Sequence, residues 1–420
     1  MSTQHQADVI VVGAGPAGIA AVQQLLQAQQ RVIWIDQGLR PGGQIWRAGP
    51  PQPWARTLQT LLSNPLLQQL SGYAVIAVEG LADYRLRLQN LQQPQAPGIS
   101  VQAPQMLLAL GARERFLPFP GWTLPGVSGA GGLQALIKNG WPIAGRRVVL
   151  AGSGPLLLAS ADTARAAGAD VLCVAEQAPR QALASFAARL PLAKMAQALG
   201  LGWRLRAIPY RPGAWVSRAL GEGKLEAVQL SNGREQWELP CDALGVGYGL
   251  LPNIELAELL GCRMEFGAIA VDDDLQTSLP GVFAAGECTG IGGVDKALLE
   301  GQIAALRLLG QSTEQLQRQH RQVLRFVELL RSRFALRPEL LQLAEAKTLV
   351  CRCEDVSLGE LKGQRSWRDA KLQTRCGMGA CQGRICGPIT ETLLAWPAGS
   401  SGRGLRAPLQ PTPLHCLLDE

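Results

Sequence analysis

The sequence predicts an α/β fold with two dinucleotide-binding units and a small cysteine-rich domain near its end. Three observations lead to this: a glycine-rich turn between two apolar runs at the start, a second such turn in the middle, and five cysteines within 36 residues. A length of 420 residues allows two or three domains with ample buried core. The hydrophobic content of 47% suits buried parallel strands and excludes a disordered or fibrous chain.

The first unit begins with an apolar strand that leads into the turn 13–18 (GAGPAG). A helix and a second apolar strand follow, and that strand ends at Asp36. Gly13 permits the tight turn, Gly15 lets the backbone approach a pyrophosphate, and Gly18 lets the helix pack closely on the sheet. The helix N-terminus favours phosphate. Asp36, 23 residues after Gly13, can accept hydrogen bonds from an adenosine ribose, so this unit is predicted to bind a dinucleotide.

Three later stretches indicate that this dinucleotide is FAD. Residues 41–44 (PGGQ) follow the second strand, where the chain would pass beneath an isoalloxazine ring. Residues 281–287 (GVFAAGE) are typical of a short strand followed by an acidic residue. Residues 290–294 (GIGGV) are predicted to begin a helix. This arrangement resembles the two-dinucleotide-binding-domain flavoproteins, the fold of glutathione and thioredoxin reductases. The resemblance implies that Glu287 contacts the ribityl chain and that the helix start at Gly292 faces the flavin pyrimidine, where its dipole favours reduced flavin.

The residues assigned to FAD come from the glycine fingerprint and from this resemblance. They are Gly13, Gly15, Pro16, Ala17, Gly18, Asp36, Gln37, Gly43, Gln44, Gly111, Gly286, Glu287, Gly293 and Val294. Related flavoproteins end one strand in a Thr-Gly pair near the ADP moiety. This chain has Leu110 before Gly111, which removes one hydroxyl but keeps the glycine.

The second unit departs from the nucleotide-binding pattern. The loop 117–127 contains three prolines and two glycines, which marks a crossover between domains. The turn 152–155 (GSGP) follows the next strand, but Leu157 stands where the third glycine would be. Glu176 at the end of the following strand would tolerate a ribose diol, and no Arg cluster follows it to bind a 2′-phosphate. Two interpretations stay open: a site for NADH or another nucleotide, and a structural domain whose site has lapsed.

The cysteine-rich stretch indicates an iron–sulfur centre. Residues 351–353 (CRC) and 375–387 (RCGMGACQGRICG) carry five thiols among many glycines. Glycines let backbone amides turn toward cluster sulfurs, whose thiolates carry negative charge. Disulfides are disfavoured in a reducing compartment. Zinc is a rival, although its usual Cys-x2-4-Cys pairs match a Cys-x-Cys pair poorly.

Residues 350–388 resemble the bacterioferritin-associated-ferredoxin-type [2Fe-2S] domain found fused to flavoprotein dehydrogenases. Its motifs, Cys-Arg-Cys-Glu and Gly-Met-Gly-x-Cys-Gln-Gly-x-x-Cys, are both present. The match assigns Cys351, Cys353, Cys381 and Cys386 as ligands. Cys376 precedes the matched loop, related domains can carry Ala there, and it is interpreted as a spare thiol.

Nearly the whole chain resembles the alpha subunits of bacterial amino-acid and opine dehydrogenase complexes. The resemblance includes 118–122 (PFPGW), 152–157 (GSGPLL) and 406–409 (RAPL). It implies an FAD- and [2Fe-2S]-containing electron-transfer subunit of a hetero-oligomer that oxidises a CH-NH bond. A catalytic flavoprotein beta subunit would oxidise the substrate, with or without a small ferredoxin-like gamma subunit, and a respiratory acceptor would take the electrons. No catalytic residue is assigned to this chain.

The predicted domain ranges follow from these motifs. They are 1–116 and 246–310 for the FAD domain, 117–245 for the degenerate second dinucleotide domain, 311–346 for a helical linker, 347–392 for the [2Fe-2S] domain and 393–420 for a Pro- and Gly-rich tail. The tail is either disordered or a strap on the partner; the strap is favoured because Leu409, Leu414 and Leu417 offer apolar anchors.

Charge and composition limit the kinds of binding partner and the cellular location that we expect. The net charge is +7, but its 33 Arg and 7 Lys are spread along the chain, so a nucleic-acid partner is not expected. An acidic partner protein or anionic lipid remains open. No apolar run is long enough for a membrane span and no secretory signal is evident, so we expect a cytoplasmic protein, with peripheral contact at the inner membrane left open.

Two alternative functions remain at this stage. The first is a self-sufficient NADH-dependent flavin and iron–sulfur reductase. The second is a non-enzymatic iron–sulfur assembly or sensing module. Disulfide reduction is not expected, since neither dinucleotide unit contains a Cys-x-x-Cys or Cys-x4-Cys pair. The three histidines, His5, His320 and His415, lie outside the flavin motifs and are expected at the surface.

Overall fold

The computed structural model describes residues 4–80, 83–394, 396 and 405–418. The chain folds into two compact units. The first unit consists of residues 1–113, 251–327 and 404–420, and the second of residues 114–250 and 328–403. The chain passes between the units at the short strands Ala112–Glu114 and Leu250–Pro252 and within the helix Glu314–Arg333.

A parallel five-stranded sheet forms the centre of the first unit. Its strand order is Val282–Ala284, Gln105–Leu108, Val9–Val12, Val32–Asp36 and Leu67–Ser71. The three inner strands consist almost entirely of buried apolar residues, because one face of the sheet packs on helices and the other packs largely on a small antiparallel sheet. The helices of this unit are Pro16–Gln27, Trp54–Leu62, Glu255–Leu260, Val294–Leu308 and the first part of Glu314–Arg333.

A second sheet of the first unit has four strands in the order Gln4–Gln6, Ile99–Gln102, Arg85–Asn90 and Tyr73–Gly80. The last three pair antiparallel. A hairpin, Met264–Glu265 with Ala268–Ile269, and the 3-10 helix Gly286–Thr289 complete this unit before the tail.

The described part of the tail packs on this small sheet. Leu409 is buried and its amide donates to the Ile76 carbonyl at 2.8 Å. The buried guanidinium of Arg87 donates to the carbonyls of Cys416, at 2.8 Å, and Leu418. Of the three predicted apolar anchors, Leu409 is buried and Leu417 packs within the chain, whereas Leu414 is 69% exposed. The strap on a partner stays a prediction. Residues 395, 397–404 and 419–420 of the predicted tail lie outside the described residues.

The second unit contains another parallel sheet of five strands, in the order Val127–Gly129, Ala243–Gly247, Arg147–Gly152, Asp170–Glu176 and Tyr210–Pro212. An antiparallel sheet of Trp215–Leu220, Ala227–Ser231 and Gln236–Pro240 follows it. The helices that precede the cysteine-rich region are Ala130–Lys138, Pro155–Ala166, Arg180–Ala187 and Leu192–Arg204. This is the predicted second dinucleotide-type domain.

The cysteine-rich region packs into the same unit. It consists of the 3-10 helix Pro338–Gln342, the hairpin Leu349–Cys351 with Val356–Ser357, and the helices Leu358–Lys362, Trp367–Thr374 and Cys386–Leu393. Its buried side chains form one continuous apolar core with those of the second dinucleotide domain. Trp122, from the Pro-rich crossover loop, donates its indole N–H to the Leu349 carbonyl at 2.7 Å. The boundaries of the six predicted ranges stay predictions. The structure divides the chain into two compact units.

None of the helices in the described part of the chain combines the length and the apolar character that a membrane span needs.

Candidate cofactor site and metal centre

The first glycine turn has the close contacts that the fingerprint predicts. Gly13 has a φ of +109°, and a Cβ there would lie 2.1 Å from the Ala109 carbonyl oxygen. A Cβ on Gly18 would lie 1.9 Å from the carbonyl oxygen of Gly13. In contrast, the space that a Cβ on Gly15 would enter is open to at least 4 Å. A phosphate can therefore approach the backbone at Gly15, where Pro16 and Ala17 open the helix.

Asp36 fixes the shape of this turn. One carboxylate oxygen accepts from the Ala14 amide at 2.5 Å and the other accepts from the Gly38 amide at 2.6 Å. Burial raises the pKa of Asp36, and the two backbone hydrogen bonds oppose that shift. The predicted contact between Asp36 and an adenosine ribose stays a prediction, as does a role for its exposed neighbour Gln37.

The Pro-Gly-Gly-Gln stretch lies against the same turn. The Gly42 amide donates to the Ala14 carbonyl at 2.7 Å, and a Cβ on Gly43 would lie 2.9 Å from the Gly15 Cα. Gln44 is exposed, and its side-chain oxygen accepts from the Arg47 guanidinium. Gly43 therefore lies beside the glycine turn, and its predicted place beneath an isoalloxazine ring stays a prediction.

Gly111 lies in the turn that follows the strand Gln105–Leu108, and hydrogen bonds from Asn253 stabilise this turn. The Asn253 amide donates to the Gly111 carbonyl at 3.0 Å, and its side chain donates to the Leu110 carbonyl at 2.9 Å. Arg113 donates to the Asn253 side-chain oxygen at 2.8 Å and pairs with the buried Glu255 at 2.9 Å. No motif along the chain indicates Asn253, because its contacts join positions distant in sequence.

The stretch around Glu287 forms a compact turn. A Cβ on Gly286 would lie 3.0 Å from the Ala17 Cβ, so this turn lies against the first helix. The Glu287 carboxylate accepts from the amides of Gly292 and Gly293 at 2.7 and 2.8 Å. Burial raises the pKa of Glu287, and these two amides oppose the shift. Glu287 thus holds the start of the helix that begins at Val294, while its predicted contact with a ribityl chain stays a prediction.

A buried ionic cluster behind this turn was not predicted from the sequence. The Lys296 ammonium donates to the Gly286 carbonyl and the Thr289 hydroxyl, both at 2.8 Å, and to Glu300 at 2.7 Å. The other Glu300 oxygen lies 2.9 Å from His320 Nε2. Although burial alone would raise it, Lys296 and His320 hold the pKa of Glu300 below its usual value.

The expectation that His320 is a plain surface residue is therefore wrong. Its ring is only 15% exposed and contacts a buried carboxylate. Spacing along the helix could have suggested the pair Lys296 and Glu300, which are i and i+4. His320 lies on another helix, and only the fold brings it to Glu300.

The cysteine-rich region brings three thiols together. Cys351 ends a strand, Cys376 follows a helix and Cys386 begins the next helix. All three are buried, and their Sγ atoms lie within 4.8 Å of one another. Cys381 is half-buried and Cys353 is exposed. Of the four ligands predicted from the sequence, the structure thus places Cys351 and Cys386 in this trio.

The two remaining predicted ligands adjoin the trio. The thiols of Cys386 and Cys353 both contribute to lowering the pKa of Cys381, so Cys381 adjoins the trio on one side and Cys353 on the other. Hydrogen bonds from the thiols of Cys376 and Cys386 lower the pKa of Cys351 to about 2, and a hydrogen bond with Cys386 lowers the pKa of Cys381 to about 5. Hydrogen bonds with Cys351 in turn raise the pKa of Cys386 and raise that of Cys376 to about 12. The thiolate is the form that binds metals.

Backbone amides and one tryptophan complete the surroundings of the thiols. The amides of Gly377 and Gly383 donate to the sulfurs of Cys351 and Cys381, respectively. A Cβ on Gly377 would lie 2.5 Å from the ring of the buried Trp367, and one on Gly383 would lie 2.9 Å from it. Glycine is required at both positions because the indole packs directly on the loop. A donor set of buried thiols with amides turned toward them fits an iron–sulfur cluster.

The second dinucleotide turn is covered by the chain itself. The Ser153 hydroxyl donates to the Phe334 carbonyl at 3.1 Å. Gln177 donates to the Ser153 hydroxyl and to the Ala335 carbonyl at 2.9 and 3.0 Å, and the Arg337 amide donates back to Gln177 at 3.1 Å. The Phe334 ring lies 3.9 Å from the place of a Cβ on Gly154. Segment 334–337 thus lies on the turn where a pyrophosphate would bind.

Glu176, which was predicted to accept hydrogen bonds from a ribose, also makes hydrogen bonds within the chain. Its carboxylate accepts from the amides of Gly154 and Ala178 at 2.7 and 2.8 Å, and burial raises its pKa to about 7. Leu157 is fully packed in the core where the pattern has glycine. The contacts of these residues favour a structural role for this turn.

Comparison with known protein families shows to which family the chain belongs. Residues 7–305 match the family described as pyridine nucleotide-disulphide oxidoreductase. The chain belongs to this family. It is thus a flavoprotein oxidoreductase by descent, and the predicted fold class is confirmed.

Relatives within the pyridine nucleotide-disulphide oxidoreductase family match over almost the full length. The chain is 33% identical to an opine oxidase subunit of Rhizobium meliloti (strain 1021), over 98% of each protein. It is 32% identical to hydrogen cyanide synthase subunit HcnB of Pseudomonas aeruginosa, over 96% of this chain and 97% of the relative. These relatives confirm the resemblance that the sequence motifs indicated.

Solved structures of the same fold include an L-proline dehydrogenase from P. horikoshii and a thioredoxin reductase from T. acidophilum. The first match covers 99% of this chain and 80% of the dehydrogenase chain, with a TM-score of 0.68 and 22% identity. The second covers 73% of this chain and 98% of the reductase chain, with a TM-score of 0.59 and 20% identity. At these identities the two structures show the fold alone.

Proposed function

We propose that this chain is the FAD- and [2Fe-2S]-containing electron-transfer subunit of a hetero-oligomeric dehydrogenase that oxidises a CH-NH bond. The observation that carries the proposal is a flavoprotein fold that also contains a buried group of thiols and whose second dinucleotide turn is covered by its own chain. FAD accepts the two electrons of a hydride, whereas an iron–sulfur cluster carries single electrons, so the pair suits a relay.

The fit of FAD rests on the first unit. The open side of Gly15, the helix start at Pro16 and the adjoining Gly43 leave a backbone surface suited to a pyrophosphate. The turn of Gly286 and Glu287 and the helix start at Val294 would hold the flavin end, as predicted from the sequence. Lys296 stabilises this turn through the Gly286 carbonyl, so it acts as a positioning residue.

The fit of an iron–sulfur cluster rests on the thiol group. Thiolates at Cys351, Cys381 and Cys386 would be ligands, with Cys353 as the fourth position that the sequence motif assigns. The amides of Gly377 and Gly383 would stabilise the negative charge of the cluster sulfurs.

The covered second turn supports a relay over an NADH-dependent reductase. A pyrophosphate at Gly154 would have to displace segment 334–337 and its hydrogen bonds to Ser153 and Gln177. Electrons would then enter from a catalytic flavoprotein beta subunit rather than from a nicotinamide. A small ferredoxin-like gamma subunit would be a further partner, and a respiratory acceptor would receive the electrons.

The substrate class comes from the relatives. Two of them are named as subunits of an opine oxidase and a hydrogen cyanide synthase, which suggests an amino acid, imino acid or opine as the donor. The complex would work in the cytoplasm, either free or in peripheral contact with the inner membrane. Glycine, D-hydroxyproline and opines are the first compounds to test with the assembled complex.

Counting electrons tests the proposal. The purified chain is titrated anaerobically with dithionite while flavin and cluster absorbance are followed, and its FAD, iron and acid-labile sulfide are measured. We expect about three electrons per chain, because FAD takes two and a [2Fe-2S] cluster takes one. An uptake of about two electrons with no labile sulfide would contradict the cluster. A chain that binds sulfide but no flavin would favour an iron–sulfur assembly or sensing module.

A further inference from the structure

The helix Leu192–Arg204 of the second unit exposes an apolar strip to solvent. Leu192, Leu199 and Trp203 are 85%, 69% and 70% exposed, and Ala196 between them is exposed as well. With about 100° of rotation per residue, these four side chains lie within about 60° of the helix circumference. We propose that this apolar strip and the basic residues around it are the surface by which the chain docks on an anionic lipid bilayer.

The opposite side of the helix already packs on the second dinucleotide domain. Leu205, just after the helix, is buried, and Leu201 packs beside it on a core that includes Ala161. Arg204 pairs with Asp162 at 3.1 Å. The apolar strip therefore plays no part in this core. Apolar side chains that are exposed together in this way are typical of a contact surface for a protein or a membrane.

The segment around the apolar strip carries charge of one sign. Residues 177–221 contain seven basic residues and no Asp or Glu, so their formal charge of +7 equals that of the whole chain. The basic residues are Arg180, Arg189, Lys194, Arg204, Arg206, Arg211 and Arg218. Two of them pair with acids from outside the segment, Arg204 with Asp162 and Arg218 with Glu345. An excess of positive charge therefore surrounds the apolar strip and complements anionic headgroups.

Trp203 places an apolar and a charged group side by side at the end of the strip. The Arg206 guanidinium lies 4.2 Å from the centroid of the Trp203 ring and donates to the Trp203 carbonyl at 3.2 Å. At a bilayer surface, Trp and Leu side chains enter the boundary between headgroups and acyl chains, while Lys and Arg contact the phosphates. Both groups of this pair would be satisfied there.

Other occupants fit the surface less well. Nucleic acid attracts basic residues through its phosphates but would leave the apolar strip in water. A second copy of this chain in a symmetric dimer would bring the same positive segment against itself, which like charges oppose. A protein interface typically has a core that is depleted of charge. A bilayer rich in anionic lipid offers acyl chains and negative charge over its whole area.

The inference rests on the proposed function for the identity of the membrane. Delivery of electrons to a respiratory acceptor would bring the chain to the inner membrane, whose cytoplasmic leaflet carries anionic lipid. The apolar strip and its basic residues lie in the second unit and do not depend on a bound cofactor. Lipid binding can therefore be measured separately from electron transfer.

Vesicle binding by the full chain tests the surface. Purified protein is mixed with vesicles of phosphatidylcholine, either pure or with an equal part of phosphatidylglycerol, and the bound fraction is measured by flotation. The variants are Leu199→Ser, Trp203→Ser and Arg206→Gln. Leu372→Ser is the matched apolar control, because Leu372 is also 69% exposed but lies on another helix. Arg365→Gln is the control for an exposed charge.

We expect the wild-type chain to bind the anionic vesicles and not the pure phosphatidylcholine vesicles. Salt at about 1 M should release it, because the Debye length is then only about 3 Å. Trp203→Ser should weaken binding about tenfold through the lost apolar contact. Arg206→Gln should weaken it about fivefold through the lost charge. Leu199→Ser should also bind more weakly, whereas Leu372→Ser and Arg365→Gln should bind as the wild type does.

The proposal is overturned if the wild-type chain does not bind anionic vesicles, or if Leu199→Ser and Leu372→Ser bind equally well. Analytical ultracentrifugation of the same samples without lipid examines a self-interface. A wild-type dimer that Trp203→Ser converts to a monomer would assign the strip to a second copy and overturn the proposal. FAD, iron and sulfide are measured per chain as well. A chain without a cluster that still binds through the strip would contradict the relay and support this surface.

Discussion

At the scale of single residues, the buried charges of the first unit have the largest expected effects. Lys296 uses all three ammonium hydrogens on Gly286, Thr289 and Glu300, and its side chain is 5% exposed. A buried ion pair is a modest net stabiliser, but removal of one partner leaves an uncompensated charge. The turn that carries Glu287 therefore depends on this lysine.

Replacement of Lys296 by Met should lower the free energy of unfolding by about 3–5 kcal/mol, because Glu300 would keep a buried charge without its ammonium partner. Denaturant unfolding followed by flavin fluorescence measures the change. The double variant Lys296→Met/Glu300→Gln should lose much less than the sum of the single variants. The exposed pair Arg147 and Asp242 is the control, and Arg147→Ala should cost about 0–1 kcal/mol. Equal effects at the two sites would contradict a buried ionic cluster.

The pH dependence of stability should reveal Glu300. Its pKa in the folded chain lies below the ordinary value of 4.5, so the unfolded chain binds more protons between the two values. The contribution of Glu300 to stability is then fully present above about pH 4.5 and is lost as pH falls through the folded pKa. Urea unfolding across a pH range that spans this value should show a shallower acid-side loss in Glu300→Gln. Glu339→Gln should change the profile less, because Glu339 pairs with Arg337 at the surface.

The sequence could predict a residue's role where its contacts lie within one short segment, and could not where they join distant parts of the chain. Gly13 and Gly18 follow from a short turn whose geometry demands glycine, and the structure confirms both close approaches. Lys296, Glu300 and His320 do not form a known motif. His320 reaches Glu300 from a separate helix, and no pattern along the chain records that contact.

At the scale of elements, the packing of two helices determines the shape of the flavin domain. The helix Val294–Leu308 lies against the first helix, Pro16–Gln27, at Gly301. A Cβ on Gly301 would lie 2.1 Å from the Ala17 carbonyl oxygen. The contact holds the phosphate turn and the Glu287 turn in register, since each helix begins at one of them.

Gly301→Ala should therefore destabilise the chain and weaken FAD binding, although alanine favours helices. Overpacking of this kind typically costs about 1–3 kcal/mol. Gly200 is the matched control: it also lies within a helix, has open space around it, and Gly200→Ala should stabilise by about 0.5–1 kcal/mol. Thermal unfolding and bound FAD after dialysis are the measurements. A Gly301→Ala variant as stable as Gly200→Ala would contradict the close helix contact.

Helices and strands with clear patterns in the sequence could be predicted. The surfaces on which these elements pack could not. The strand–turn–helix patterns predicted both parallel sheets because buried strands and glycine turns are recognisable within about 30 residues. The tail carries apolar anchors, but the sequence could not show that Leu409 packs on the chain's own small sheet. Likewise, nothing in the sequence of segment 334–337 indicated that it covers the second glycine turn.

At the scale of the whole molecule, the proposed relay has two redox centres, and the direction from which electrons would enter depends on the second dinucleotide domain. The sequence left NADH binding open because Glu176 and two of the three glycine positions are present. The structure adds that Ser153 and Gln177 bind the chain's own backbone and that Glu176 is buried. These contacts favour a domain that supports the thiol group over one that binds a nicotinamide.

An anaerobic titration with NADH, followed by dithionite, tests this claim most directly. Flavin and cluster absorbance of the purified chain are recorded together. The relay predicts that NADH leaves both centres oxidised, because segment 334–337 covers the turn, and that dithionite then bleaches both. Rapid bleaching by stoichiometric NADH would contradict the relay and establish a self-sufficient reductase.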